Sequence, residues 1–182
     1  MIQPIYLYGR GVLREKAAEA DINDKEKVLA LIADLKETLV KSDGCGLAAP
    51  QIGVSQRVLI VTGEGLEETY PYLTDFRRTM INPEVLEESS QKCTFSEGCL
   101  SVPGIYADVT RPASIRIRYY DENLEQVEET LDKFACRMVQ HELDHLDGIL
   151  FVDKVAPIRK KMISKKLSNI SKGKVSTAYK VK

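Results

Sequence analysis

Hydrophobic positions at helical spacing mark the first regular element of the chain. Between Asn23 and Ser42, apolar residues recur every three or four positions, at Val28, Leu31, Ile32, Leu35 and Leu39. Asn23 and Glu26 have the spacing of a capping box, and Gly44 follows where a glycine commonly ends a helix. The pattern predicts an amphipathic helix over residues 23–42.

The middle third of the chain has the patterns of β-structure. Strands are predicted at residues 57–62, 80–87 and 93–96, where β-branched or alternating residues cluster. The stretch 63–79 between the first two is predicted to be a long polar loop. Residues 114–119 alternate apolar and polar, 121–123 suit a chain reversal, and 127–131 continue the alternation. We therefore predict an antiparallel hairpin over 114–131 with one buried face.

The period becomes helical again between Asp132 and Leu146. One contiguous face of this predicted helix contains Leu131, Phe134, Ala135, Met138, His141, Glu142 and His145. A narrow polar arc is formed by Lys133, Arg137, Gln140, Asp144 and Asp147. Because the polar arc is narrow, we expect this helix to run through the core and to end at Gly148. A last helix is expected to begin at Pro157 and to fray by Gly173.

Composition places the chain among ordinary globular proteins. It has 182 residues, of which 43% are hydrophobic and 29% charged, so one compact domain is expected. No stretch approaches the ~18 apolar residues that span a bilayer, and the first residues lack a basic segment followed by an apolar run. We therefore expect a cytoplasmic protein without a membrane partner.

The formal net charge of −1 conceals an uneven distribution. All 27 acidic residues lie within 1–153, together with 16 of the 26 basic ones, and 154–182 contain the other ten. We expect this basic segment to be a solvated terminal helix; the alternative is a surface that meets a polyanion such as nucleic acid.

The candidate chemistry begins with His141-Glu142-Leu143-Asp144-His145, an H-E-x-x-H sequence on the predicted central helix. Two imidazoles at i and i+4 share one helix face and can bind one metal ion, with the glutamate beside the open position. These are the only two histidines of the chain, which makes a chance pairing improbable. A third ligand must therefore be a cysteine or a carboxylate.

Four cysteines are available, and no two form a C-x-x-C pair, which disfavours a disulfide framework or a four-thiolate zinc site. Cys136 is about 140° around the helix from His141, and Cys93 lies within a predicted strand, so both are interpreted as packing residues. Cys99 follows a glycine, and Cys45 lies between two. Position alone does not decide between Cys99 and Cys45.

Three segments together resemble the signature motifs of peptide deformylase. They are Gly44-Cys45-Gly46-Leu47-Ala48-Ala49-Pro50-Gln51, Glu97-Gly98-Cys99-Leu100-Ser101 and Gln140-His141-Glu142-Leu143-Asp144-His145. The family motifs are G-x-G-L-A-A-x-Q, E-G-C-L-S and H-E-x-D-H, and all three occur here in order. The resemblance extends from the region of Tyr8 to Phe151 and so covers most of the chain.

The resemblance implies one divalent metal ion held by Cys99, His141 and His145. The family's native metal is usually Fe2+, and Zn2+, Ni2+ or Co2+ can occupy the site. The implied reaction removes the formyl group from N-formylmethionine and releases formate. The implied partners are N-formylmethionyl peptides and nascent chains.

The resemblance also implies three catalytic roles. Glu142 would accept a proton from the metal-bound water and deliver one to the departing amine. The Gln51 side-chain amide and the Leu100 backbone N–H would stabilise the oxyanion. Without the other motifs, Gln51 would be interpreted as a polar loop end.

Substrate contacts are expected from Gly46, Met138 and Arg111. Gly46 would pair through its backbone with an extended substrate or merely form a turn. Met138 would line the methionine pocket or simply belong to the core, and Arg111 would contact the peptide backbone. Glu97 is expected to orient a ligand, and Asp144 to anchor a neighbouring loop.

Taken together, the sequence predicts an α+β fold in which antiparallel strands surround a central metal-binding helix, with further helices near both termini. Residues 1–155 would form a peptide deformylase-like catalytic domain, and 156–182 a basic C-terminal helix and tail of that same domain, with weak ribosome contact as one hypothesis. Two rival functions are a zinc peptidase, which can use the same H-E-x-x-H helix, and a noncatalytic metal-binding or ribosome-associated protein.

Overall fold

The computed structural model describes residues 1–182 and contains three α-helices and seven β-strands. The helices are α1 (Lys25–Ser42), α2 (Lys133–Leu146) and α3 (Pro157–Ser171). The strands are β1 (Gly46–Ala48), β2 (Val58–Thr62), β3 (Arg77–Glu88), β4 (Lys92–Cys99), β5 (Val102–Pro112), β6 (Ser114–Tyr120) and β7 (Gln126–Asp132). No helix has both the length and the apolar composition needed to cross a membrane.

The strands form two antiparallel sheets. The larger has the order β1-β2-β3-β6-β7, and the smaller is the β4-β5 hairpin. Residues of β2, β3 and β6 on one face of the large sheet share a buried apolar cluster with α2. The opposite face of β2 contributes to a second cluster with α1. This architecture confirms the predicted α+β fold.

Helix α1 was predicted correctly except at its ends. The side chain that caps its N-terminus belongs to Asp24, which accepts a hydrogen bond from the backbone N–H of Lys27 at 3.2 Å. The predicted capping box of Asn23 and Glu26 is therefore wrong by one residue. At the other end Asp43, at φ 55°, ends the helix one residue before Gly44. The predicted apolar face is buried.

The predicted hairpin over 114–131 is confirmed as β6 and β7, with Ile115, Ile117 and Tyr119 buried. The stretch 63–79 differs from the prediction of a polar loop. Its last residues belong to β3, and Leu73 is buried in the α2 cluster, with other apolar residues of the stretch packed against it. This segment therefore contributes to the core.

Helix α2 is more deeply buried than the predicted polar arc allowed. Arg137 is 2% exposed and donates hydrogen bonds to the backbone oxygens of Cys93, at 2.8 Å, and Val109, at 2.7 Å. Gln140 is also buried, and its amide donates to the oxygen of Pro112 at 3.0 Å. The β4-β5 hairpin covers these two members of the polar arc, whereas Lys133 and Asp147 are exposed. Helix α2 lies between the two sheets.

Helix α3 begins at Pro157, as predicted. Its buried residues Ile163, Leu167 and Ile170 pack into a third cluster with residues of β5. Its lysines are exposed. After α3 the chain turns back, and Val181 forms a parallel bridge with Ile5 near the N-terminus.

Candidate metal centre and active site

Helix α2 and the end of β4 bring three potential metal ligands together. His141 and His145 follow each other by one turn of α2, with ring centroids 5.2 Å apart. Cys99 is the last residue of β4, and its Sγ lies 3.2 Å from Nε2 of His145. The ligand atoms of these three residues all lie within 4.8 Å of one another. Cys45 is not part of the group, although it lines the same cleft.

Glu97 orients His141 from behind. Its buried carboxylate accepts a hydrogen bond from Nδ1 of His141 at 3.0 Å. Because Nδ1 carries the proton of this bond, Nε2 is left as the basic nitrogen of the ring. Burial opposes ionisation of Glu97, but hydrogen bonds from His141 and Arg111 outweigh it and hold its pKa below the usual range.

Two arginines complete the surroundings of Glu97. Arg111 donates to both carboxylate oxygens, at 2.7 and 3.0 Å, and Arg137 donates to Oε1 at 2.7 Å. Arg111 also pairs with Asp144 at 2.6 Å. A fully paired buried carboxylate keeps its charge and its position, so this network fixes the orientation of His141.

The donor set fits one divalent cation. Two imidazoles and one thiolate are ligands that Fe2+, Zn2+, Ni2+ and Co2+ accept, and three protein ligands leave one position open. Burial lowers the pKa of His145 well below its usual value, which favours the neutral imidazole that binds a metal. Burial acts on the pKa of His141 in the same direction, but hydrogen bonds with Cys99 and Glu97 outweigh it and raise that pKa. The buried Oε2 of Glu142 has no hydrogen-bond partner in the protein. An unpaired carboxylate oxygen on a residue that lines the same cleft as Cys99 and His141 is consistent with a site that receives a cation.

Glu142 lies between the two histidines along α2 and contacts β1. Burial raises its pKa to about 7, although the neighbouring His141 acts in the opposite direction. A β-carbon placed on Gly46 would come within 2.5 Å of Oε1 of Glu142. Glycine at this position therefore lets the carboxylate approach the β1 backbone.

Gln51 is buried, and contacts at both ends of its side-chain amide fix the amide orientation. The backbone N–H of Ala48 donates to Oε1 at 2.9 Å. The opposite end, Nε2, then points towards Cys99 Sγ at 3.6 Å and Ser101 Oγ at 3.2 Å. Leu100 lies in the turn between β4 and β5, and its backbone N–H forms no hydrogen bond within the protein. The two predicted oxyanion donors therefore flank Cys99.

One cleft of about 640 Å³ is lined by Gln51, Cys99, Leu100, His141 and Glu142. Gly46 lines it from β1, which is an edge strand because it pairs only with β2. Met138 is 3% exposed and belongs both to the cleft lining and to the α2 cluster. The pocket and core interpretations of Met138 are thus compatible.

Arg111 lies elsewhere than the sequence interpretation expected. It is 5% exposed, does not line the cleft, and uses its guanidinium on Glu97 and Asp144. This geometry favours a supporting contact to Glu97 over contact with a peptide. Asp144 bridges Arg111 and Lys154, in agreement with the structural role expected of it.

Sequence reasoning missed two features of the site. Arg137 belongs to the predicted polar arc, yet it lies four residues before His141 and therefore on the same side of α2. That spacing was a signal that it could share a partner with His141. The second feature is Tyr179 of the C-terminal segment, which lines the cleft. No motif marks it.

Comparison with known proteins places this geometry in context. The family model described as polypeptide deformylase matches residues 2–161. The peptide deformylase of Christiangramia forsetii is 43% identical, with 100% of this chain and 96% of that protein covered. That of Cytophaga hutchinsonii is 40% identical, with 100% and 97% covered.

Solved structures agree. The class I type b peptide deformylase of Acinetobacter baumannii, solved with Met-Ala-Ser bound, is 36% identical, with a TM-score of 0.79 over 85% of this chain and 99% of that chain. The Plasmodium falciparum peptide deformylase gives a TM-score of 0.83 at 32% identity, with 93% and 95% covered. Sequence and architecture therefore agree that the chain belongs to the polypeptide deformylase family and is a hydrolase that removes the N-formyl group from newly synthesised proteins.

Proposed function

We propose that Cys99, His141 and His145 hold one divalent metal ion, Fe2+ in the native enzyme, with Zn2+, Ni2+ or Co2+ able to replace it. The proximity of their ligand atoms supports this assignment. When bound, such an ion acidifies a water molecule and polarises the formyl oxygen. Glu97 holds His141 in the orientation that directs Nε2 towards the other two ligands.

In this proposal Glu142 carries protons between water and the leaving amine. Its carboxylate takes a proton from the attacking water and delivers one to the departing nitrogen, which leaves poorly unless protonated. Burial raises the pKa of Glu142, which favours a group that must both accept and donate a proton. The unpartnered Oε2 is available for these transfers.

The proposed oxyanion donors are the Gln51 amide and the Leu100 backbone N–H. Both groups are held before substrate arrives, Gln51 by Ala48 N–H and Leu100 by the turn that follows β4. Each donor is expected to contribute about 3 kcal/mol to stabilisation of the tetrahedral transition state.

The substrate peptide is proposed to bind in extended form beside Gly46. Strand β1 has a free edge, and adding a strand to such an edge satisfies backbone hydrogen bonds on both chains. Met138 then lines the pocket for the first side chain. The A. baumannii relative solved with Met-Ala-Ser bound is consistent with a methionine-first peptide as the ligand class.

One observation carries the proposal: Glu142 and Gln51 line the same cleft as Cys99 and His141, which are two of the three grouped ligands. A noncatalytic metal protein would need neither a buried, unpaired carboxylate nor a fixed amide beside its ligands. A zinc peptidase shares the metal helix and differs in its substrate, which is an internal amide.

The decisive experiment compares Glu142→Ala with the native protein. Formate release from formyl-Met-Ala-Ser is measured under anaerobic conditions with Fe(II), and bound metal is quantified in parallel. We expect turnover to fall by about 100-fold or more while metal stays bound, since a general acid and base contributes 10²–10⁴-fold. Glu88→Ala, an exposed carboxylate at the end of β3, serves as control and should retain full activity. Undiminished turnover in Glu142→Ala would contradict the assigned role.

Unformylated Met-Ala-Ser and longer unformylated peptides separate the two enzyme functions. A deformylase leaves them intact, whereas a peptidase cleaves internal bonds. Internal cleavage by the native protein would favour the peptidase.

We further propose a cytoplasmic enzyme that makes weak, salt-sensitive contact with ribosomal RNA through the exposed lysines of α3. The support is the concentration of ten basic and no acidic residues in 154–182. The test is ribosome pelleting across salt concentrations. The variant replaces Lys160, Lys161, Lys165 and Lys166 by Gln, and the matched control replaces the exposed Lys16, Lys25, Lys27 and Lys41.

We expect the α3 variant to pellet less than the native protein at low salt, and the difference to vanish at high salt because phosphate contacts are screened. Equal loss in both variants would indicate a nonspecific charge effect and would refute docking through α3.

A further inference from the structure

The last ten residues, Gly173–Lys182, are held against the protein and will be called the C-terminal strap. Backbone hydrogen bonds join it to the N-terminal segment: Ile5 N–H donates to Lys180 O at 2.9 Å, Leu7 N–H donates to Lys182 O at 3.0 Å, and Lys182 N–H donates to Ile5 O at 2.9 Å. The strap is therefore a paired element and not a freely solvated tail. It lies beyond residue 161, where the match to the family model ends.

The N-terminal segment connects the strap to both active-site loops. On its other side Tyr6 N–H donates to Gln51 O, and Tyr8 N–H donates to Ser101 O, each at 2.8 Å. Alternate residues of this short extended segment thus face the strap and the loops that carry Gln51 and Cys99. A displacement of the strap would therefore displace the N-terminal segment and, through it, both loops.

Tyr179 makes a direct contact with the same region. Its hydroxyl donates a hydrogen bond to the backbone oxygen of Leu100 at 2.7 Å. Its ring is half-buried and packs against the cluster beneath α1. Burial raises the pKa of Tyr179 to about 12, so the hydroxyl keeps its proton and can donate it.

The contact to Leu100 matters because the backbone oxygen and the backbone N–H of this residue have different roles. Its oxygen receives the Tyr179 hydroxyl, whereas its N–H has no partner in the protein. Leu100 follows the end of β4, so no ladder hydrogen bond fixes its backbone. From outside the hairpin, the Tyr179 hydroxyl and the Tyr8 N–H bind the two backbone oxygens of this turn, and the Gln51 amide binds the side chain of Ser101.

We propose that Tyr179 is a positioning residue for deformylation, which holds the Cys99–Ser101 turn so that the Leu100 N–H stays directed into the cleft. The proposal rests on the proposed role of Leu100 as an oxyanion donor. A hydrogen-bond donor stabilises the oxyanion best when it already points at it. If the direction of the donor fluctuates, reorienting it adds to the free energy of activation. Through Tyr179, the strap couples the C-terminus to the position of the Leu100 N–H.

The test is Tyr179→Phe in the full chain, which removes the hydroxyl and keeps the ring. We expect kcat for formyl-Met-Ala-Ser to fall by about tenfold, with KM changed less than twofold, because a transition-state contact is weakened and substrate binding is not. Bound metal should be unchanged. Tyr120→Phe is the matched control, since Tyr120 packs against the same cluster without a hydroxyl hydrogen bond, and it should retain native kinetics.

Amide hydrogen exchange gives a readout that does not depend on turnover. Exchange at residues 99–101 should be faster in Tyr179→Phe than in the native protein or in Tyr120→Phe. Native kcat together with native exchange would overturn the proposal, and so would a lower melting temperature with kcat unchanged, which indicates packing alone. The result for Glu142→Ala tests the proposed function separately, so the two can fail independently.

Discussion

Gly46 is the residue whose size most directly limits the position of Glu142. A β-carbon at this site would lie 2.5 Å from the carboxylate oxygen, so Gly46→Ala must displace Glu142 within a buried site. We expect kcat/KM to fall roughly 10- to 100-fold, as displacement by about 1 Å can cost 10²-fold. Formate release and bound metal are the measurements. Gly11→Ala, where an added β-carbon meets no atom within 4 Å, is the control.

Native activity in Gly46→Ala would mean that Glu142 can move without loss and would remove the steric argument. Loss of bound metal in the same variant would instead show that the substitution disturbs the metal ligands.

At the residue scale, the sequence predicts ligands better than it predicts their support. The spacing of His141 and His145 on one helix face follows directly from helix geometry. The choice of Cys99 over Cys45 does not, because both are next to glycine, and it needed the family resemblance. The support from Arg137 is not predicted, since a charged residue on a helix is usually found in water, whereas here Glu97 and two backbone oxygens accept hydrogen bonds from its Nη1 and Nη2.

At the element scale, two residues that differ by one position, Asn23 and Asp24, are candidates for the N-terminal cap of α1. Asp24 accepts from Lys27 N–H, whereas the side chain of Asn23 contacts only Asp21. Asp24→Ala should therefore lower the free energy of unfolding by about 1 kcal/mol. Asn23→Ala should change it by less than about 0.5 kcal/mol, as expected of a surface substitution. Urea denaturation of both variants measures the difference, and the opposite ranking would restore the cap predicted from sequence.

Strand β5 shows why some elements escaped the sequence patterns. Its buried positions Ile105, Ala107 and Val109 alternate with exposed ones, but Ala107 is small and the next inward position is Arg111, so the apolar signal is short. Strand β1 has only three residues, all buried, within a run of small residues that gives no period. In contrast, α1 and the β6-β7 hairpin have long apolar periods and polar opposite faces, and both were predicted.

At the scale of the whole molecule, the proposed metal ligands join the two sheets through α2. Cys99 comes from the β4-β5 hairpin, whereas His141 and His145 come from the helix packed on the large sheet. A bound cation would therefore cross-link parts of the core that are distant in sequence. Because ligand binding to the folded state alone stabilises it by mass action, metal at about 100 times its Kd should add about 2.7 kcal/mol. For a chain of this length that corresponds to a rise in Tm of roughly 5–10 °C.

Anaerobic thermal unfolding of the metal-depleted protein, with and without added Fe(II), measures this rise. Cys99→Ser should reduce the metal-dependent shift strongly, since a hydroxyl is a far weaker ligand than a thiolate. Cys93→Ser is the matched control: it lies earlier on the same strand, outside the ligand group, and its shift should remain native even if its own Tm changes. An equal shift in both variants would show that the stabilising metal binds elsewhere. Comparing the metal-dependent rise in Tm of Cys99→Ser with that of Cys93→Ser therefore tests whether the stabilising metal binds at the site where Cys99 meets the helix histidines.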